Sequence, residues 1–268
     1  MIGSSRASLE ALTTLVDSQQ GAGGLDAASE VFGAADVLDG NRALLQSLTD
    51  SGLAGEVRSG AARDLLGSRL GTASAAIVTA AAGLRWSAAH DLVAALDIAA
   101  ARSAFAAAEV AGTLDTVEDE LFFFTRTVVS DGQLQLALAD LTQPAGFREG
   151  IVRDLTASRY TDTTVLLLVQ AVSSPRGGQS LLDSLESLQQ LAAARRGQVL
   201  AEVTSAIALT AEQTERLSAA ISRIYGRPVR LNVVVDPTVV GGLSVRVGEE
   251  LIDGTIATKL EQARRLVG

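Results

Sequence analysis

The sequence predicts a mostly α-helical chain that ends in a small C-terminal α/β domain, with the helical part written twice. Three observations carry this. Apolar residues recur at helical spacing from the N-terminus to Gly197. From Val199 to Arg265, strand, helix, strand and turn signals follow one another with clear punctuation. Between these regions, similar segments reappear about ninety residues apart.

The first helix is expected over Ala7–Gln19, with Leu9, Leu12, Leu15 and Val16 on its apolar face and Gly21–Gly24 ending it. The second is expected from Asp26 through Val37, with Ala28, Val31, Ala35 and Leu38 turned inward. Asp39-Gly40-Asn41 reads as a turn, Leu44, Leu45 and Leu48 belong to the next helix, and Ser51-Gly52 breaks it. Ala94, Ile98, Ala101 and Phe105 continue helical spacing across the middle of the chain. Glu118-Asp119-Glu120 is expected to cap a helix start, where carboxylates meet the positive end of the helix dipole. Leu121–Phe124 holds half of the chain's phenylalanines and reads as a core anchor. Leu181, Leu185, Leu188 and Ala192 mark the last helix, with Arg195 and Arg196 in its final turn before Gly197.

The repeat rests on three pairs of segments. FGAADVLDGN at Phe32–Asn41 and FTRTVVSDGQ at Phe124–Gln133 both place a Phe seven residues before Asp-Gly. GAARDLLGSR at Gly60–Arg69 and GIVRDLTASR at Gly150–Arg159 share six of ten positions at an offset of ninety. Ser87–Leu96 and Gly177–Glu186 match more loosely. The period exceeds the roughly 20–50 residues of common solenoids, so two copies of a small helical bundle are expected. The implied domains are 1–105, 106–197 and 198–268.

In the last domain, Val199, Ala201, Val203 and Ser205 alternate with Leu200, Glu202 and Thr204, which predicts a strand. Thr210 and Gln213 form a capping box for a helix buried through Leu217, Ile221 and Ile224. Gly226 and Pro228 stop it. Val229, Leu231, Val233 and Val235 form a second strand, parallel to the first because one crossover joins them. Asp236-Pro237 turns the chain and Gly241-Gly242 permits a tight return. Leu243, Val245 and Val247 form a third strand, a hairpin at Gly248–Glu250 leads to Leu251-Ile252, and Asp253-Gly254 opens a closing helix bearing Ile256, Leu260 and Ala263.

Composition excludes several kinds of chemistry. There is no cysteine and only one histidine, His90, which removes disulfides, thiol catalysis and multi-His metal sites. The net charge of −9 lies wholly in residues 1–199, and the remainder is neutral, so the basic footprint of nucleic-acid binding is missing. No stretch reaches the about 18 apolar residues of a membrane span, and the N-terminus lacks the pattern of a signal peptide. Phosphate-loop, dinucleotide and nucleophile-elbow motifs are absent from the sequence. Asp236 and Asp253 can be imagined as an acid–base pair, but both stand in turn dipeptides. No catalytic, cofactor or metal residue is expected.

The order of punctuation in the last domain resembles the delta subunit family of F-type ATP synthase, whose mitochondrial counterpart is the oligomycin-sensitivity-conferring protein. Five elements match over about sixty-five residues: Ser205-Ala206 at a strand end, the Leu209–Gln213 helix start containing Thr210, Asp236-Pro237, Gly241-Gly242, and Ile252–Thr255 with Asp253-Gly254. The helical region is nearly twice the family's usual length, as in the enlarged actinobacterial form. The resemblance implies a non-catalytic stator subunit. It would bind alpha-subunit N-terminal segments through its helices and the b subunits of the peripheral stalk through its C-terminal domain. It would act at the cytoplasmic face of the bacterial plasma membrane, meet the membrane only through the complex, and form no homo-oligomer. The alternative reading of the residues is a metabolite-binding regulatory or adaptor module.

Overall fold

The computed structural model describes residues 3–174, 179–197, 199–226, 229–237, 242–247 and 250–253. The chain is mostly helical and ends in a small α/β unit. It divides into two compact units, Met1–Leu191 and Ala192–Gly268.

Unit 1 contains α1 (Ser4–Ser18), α2 (Gly24–Asp39), α3 (Arg42–Thr49), α4 (Gly55–Leu66), α5 (Thr72–Gly83), α6 (Ala89–Val110), α7 (Leu114–Ser130), α8 (Gly132–Ala139), α9 (Ala145–Thr156) and α10 (Asp162–Ser173). Helix α11 (Leu181–Arg195) begins in it. The expected inward residues of α2, namely Ala28, Val31, Ala35 and Leu38, are all buried. The α11 stripe of Leu181, Leu185, Leu188 and Ala192 is buried as well. Helix α6 is the longest, and buried side chains occur nearly all round it. Most of these are alanines, so neighbouring backbones can approach closely.

Elements recur at an offset of ninety. Glu30 of α2 accepts from Gly71 N and Ser74 Oγ at the start of α5. Glu120 of α7 accepts from Thr161 N at 3.0 Å and Thr164 Oγ1 at 2.6 Å at the start of α10. Glu118-Asp119-Glu120 therefore does not begin its own helix. The run lies in the second turn of α7, and Glu120 caps a different helix, because its side chain reaches across to orphan N–H and hydroxyl donors there.

Buried Arg58 on α4 donates Nε to Ala82 O, Nη1 to Asp50 O and Leu53 O, and Nη2 to Gly83 O and Leu84 O, at 2.6–3.1 Å. Buried Arg148 on α9 donates Nε to Val172 O, Nη1 to Asp140 O and Gln143 O, and Nη2 to Ser173 O. Each guanidinium closes the C-terminal carbonyls of two helices with a cation, as the helix dipole favours.

The offset is ninety, not the ninety-two implied by pairing the two Asp-Gly dipeptides. Asn41 caps α3 through Leu44 N, and Asp131 caps α8 through Leu134 N. Gly40 instead ends α2, whereas Gly132 is the first residue of α8. The LFFF anchor is also divided. Leu121 and Phe124 are buried, Phe122 is half-buried, and Phe123 is exposed, because four consecutive helical residues cannot share one face.

Unit 2 holds β1 (Val199–Ser205), α12 (Ala211–Tyr225), β2 (Val229–Val235), β3 (Leu243–Val247) and β4 (Glu250–Asp253). The sheet order is β2-β1-β3-β4. Strands β1 and β2 are parallel, as expected, in the register Ala201↔Leu231, while β1–β3 and β3–β4 are antiparallel. Ala201, Val203, Val229, Val245, Val247 and Ile221 form the core, with Leu217 and Tyr225 packed against it. Ile224, expected inside, is 70% exposed. The face of α12 toward the sheet runs 217, 221, 225, so its fourth-residue spacing takes Tyr225 and turns Ile224 out. The closing helix expected beyond Asp253, with Ile256, Leu260 and Ala263, lies outside the described residues, as do Gly248 and Glu249 of the hairpin.

Arg58→Met removes all five donors of a buried guanidinium and leaves helix-end carbonyls unpaired. Denaturant unfolding is expected to show a loss of about 3 kcal/mol. Arg58→Lys, which lacks the planar fork, is expected to recover only part of it.

The pKa of Glu30 lies below the ordinary glutamate value, first because Ser74 donates to it and then because of Gly71 N–H. Its contribution is therefore present above the unfolded pKa and is lost as pH falls through the lowered folded value. Melting temperatures measured from about pH 7 to about pH 3 should show a deficit in Glu30→Gln at neutral pH that closes on the acid side.

Candidate functional site

The sheet of unit 2 gathers the motif residues at one end. Ser205 ends β1 and pairs with both Val235 and Leu243, and Ser244 pairs with Asp253. Asp236 follows β2 and donates its N–H to Ser205 O at 2.8 Å. Ala206 and Pro237 continue from these strand ends, and Gly242, at φ 81°, enters β3. Thr210 and Gln213 stand at the start of α12. Thr210 Oγ1 accepts from Gln213 N at 3.2 Å, and Gln213 Oε1 accepts from Thr210 N at 2.9 Å. The capping box is therefore complete. Gly241 and Gly254 lie outside the described residues.

The same topology separates the two aspartates. Asp236 follows one edge strand and Asp253 ends the other. Three inter-strand steps place their backbones about 14 Å apart, too far for two carboxyls to share a proton or flank one reacting atom. His90 is exposed, with Nε2 3.7 Å from Asp91. Asp91 itself accepts from Ser5 Oγ at 2.7 Å. No group of three or more metal-ligating side chains occurs among the described residues.

Surfaces for macromolecular partners are better developed. In unit 1, α4 exposes Val57 and Leu65, with half-buried Ala61 between them. Ninety residues later α9 exposes Phe147 and Leu155, with half-buried Ile151 between them. Spacing by four puts each set on one helix face. The buried arginine adjoins each stripe, at 58 and 148, so the latch that closes the neighbouring helices also fixes the face presented outward. Leu136 and Leu141 add exposed apolar area in the segment before α9, and Leu53 adds some before α4. A groove of about 540 Å³ is lined by Phe32, Ile98, Leu167 and Leu188, with Arg6 and Gln170 among its polar groups.

Residues 99–267 match the family described as ATP synthase delta (OSCP) subunit. The chain belongs to this family. The match starts inside α6, so it takes in α7–α11 and unit 2 and leaves α1–α5 ahead of it. A protein named ATP synthase subunit delta from Streptomyces avermitilis is 43% identical over 238 residues, covering 89% of this chain and 87% of its own. A protein of the same name from Streptomyces griseus is 40% identical over 270 residues, covering 100% of this chain and 97% of its own. That from Kineococcus radiotolerans is 40% identical over 266 residues, with 98% and 96% covered. Among solved structures, a chain of the Toxoplasma gondii mitochondrial ATP synthase hexamer is similar at 18% identity and a TM-score of 0.38, covering 62% of this chain and 94% of its own. No helix among the described residues of this family member is long and apolar enough to cross a membrane.

The arginines at 58 and 148 escaped the sequence reading although a signal was present. Extending the matched decapeptides two residues toward the N-terminus gives RSGAARDL and REGIVRDL, in which the leading Arg recurs at the same offset.

Thr210→Ala removes one half of the capping box. Thermal or denaturant unfolding should show unit 2 destabilised by about 1 kcal/mol, with the helical unit unchanged.

Proposed function

We propose that this delta-family chain is a non-catalytic stator subunit of an F-type ATP synthase, joining the catalytic head to the peripheral stalk and resisting rotor torque. The carrying observation is the family match over residues 99–267 together with relatives of matching length that bear the delta-subunit name. The helical unit takes N-terminal segments of the alpha subunits, and unit 2 takes the b subunits. The protein works at the cytoplasmic face of the bacterial membrane as a peripheral part of the complex. Residues 1–105 and 106–197 are two copies of one bundle, with α6 ending the first and beginning the second. The recurrence of the Arg58 and Glu30 networks at 148 and 120 supports this.

A torque-bearing joint needs large interfaces and little internal give. Buried, fully bonded arginines between helix ends supply the second. Exposed apolar stripes at helical spacing suit the first, because an amphipathic segment can lay its apolar face along them. The copy formed by α6–α11 is contiguous with the family match and carries the larger stripe, so it is the alpha-binding copy.

The test is binding of the purified chain to a peptide from the alpha-subunit N-terminus and to the soluble region of the b subunit, by calorimetry. Binding to both is expected. Phe147→Asp should weaken the alpha peptide by about tenfold, equivalent to about 1.4 kcal/mol, and leave b binding unchanged. Failure of the wild-type chain to bind either partner would sink the stator role.

A further inference from the structure

Unit 2 carries a cleft of about 490 Å³ along one flank of α12. Its floor is aliphatic, from Leu209, Leu217, Ala220 and Leu243, and Arg216 and Arg223 stand on its rim. The leucines are half-buried and both arginines are exposed. No carboxylate is among the described lining residues. Neither arginine forms an ion pair among the described residues. Arg223 Nε donates only to Ala219 O, at 3.4 Å, and Glu212, one turn before Arg216, is not paired with it. The opposite flank of α12 differs: its concavity of about 580 Å³ sets Glu215, Thr214, Ser218 and Ser222 beside Leu209 and Leu231, and no arginine is among its described lining residues. The cleft also touches the cluster of motif residues, through Leu209 and Gln213 at the start of α12 and Leu243 at the start of β3.

We propose that this cleft seats an acidic amphipathic segment of the b subunit, with aliphatic side chains on the leucine floor and carboxylates on Arg216 and Arg223. The proposal rests on the stator role and names the chemistry of its stalk-side contact. Charge decides the occupant. Two cations seven residues apart on a helix share a face, and an apolar floor between them selects a segment that alternates acidic and aliphatic residues. A neutral apolar segment would leave both guanidinium groups partly desolvated without a partner. A basic one would be repelled. Arginine suits the site because its planar fork takes a carboxylate through two parallel bonds.

The experiment uses the full chain, the soluble region of the b subunit and the alpha N-terminal peptide as probes. Arg216→Glu with Arg223→Glu should bind b about tenfold more weakly and keep alpha-peptide affinity. Arg216→Gln with Arg223→Gln should fall between it and the wild type and melt at the wild-type temperature. Wild-type affinity for b should fall as salt is raised, since exposed charges are screened. If the Glu variant binds b as tightly as wild type, the cleft is not the seat, and the stator role stands. If both variants lose the alpha peptide along with b, the effect is not local and the proposal is overturned. If the wild-type chain binds neither probe, the stator role fails and the proposal falls with it.

Discussion

A buried guanidinium must find an acceptor for each donor, and in this chain the acceptors are helix ends. Arg58 cannot be buried on α4 unless the end of α5 and the loop after α3 arrive with carbonyls pointing at it. The desolvation cost of an unpaired buried charge is several kcal/mol, so the three helices must close together. Arg148 imposes the same condition on α8, α9 and α10. The acidic side chains do the converse work. Glu30 and Glu120 reach the N-termini of α5 and α10, where unpaired N–H groups need an acceptor. Each set of helices is thus closed at both ends by one cation and one anion that never pair with each other.

That arrangement fixes the helix ends and leaves apolar side chains on the outer faces of α4 and α9. The two buried arginines are engaged by backbone carbonyls, whereas buried Asp91 is held by the Ser5 hydroxyl. The outward faces are left to carry partners. Helix α4 shows Val57, Ala61 and Leu65 where α9, ninety residues later, shows Phe147, Ile151 and Leu155. The second set is bulkier, and binding energy at interfaces concentrates in large apolar anchors. The crossing of α4 on α5 is tighter than its counterpart can be. A side chain at Gly55 would lie 2.5 Å from Gly83 O, and the equivalent positions are Ala145 and Ser173.

Much of unit 2 was legible from local rules. The capping box at Thr210 and Gln213, the left-handed Gly226 and the parallel pairing of β1 with β2 each follow from a few neighbouring residues. Ile224 shows the limit. A pattern at spacing three or four fits either Ile224 or Tyr225, and only the position of the sheet chooses Tyr225. The helical unit was legible in its stripes and less so in its polar interior. Ser5, Ser8, Arg58 and Arg148 are buried, and a rule that sends polar residues outward misplaces all four.

The sequence by itself determined the helical class, the α/β ending, the absence of thiol and multi-histidine chemistry, and the punctuation that resembles the delta family. These depend on residue type and spacing along a few turns of chain. Only the tertiary structure decided that Asn41, and not Asp39, is the counterpart of Asp131, that Glu120 caps a helix forty residues away, and that Asp236 and Asp253 stand on opposite edges of the sheet. Those facts depend on where a distant backbone donor or acceptor comes to lie. Spacing along the chain carries no such information, because a long side chain satisfies whatever group the fold brings within reach.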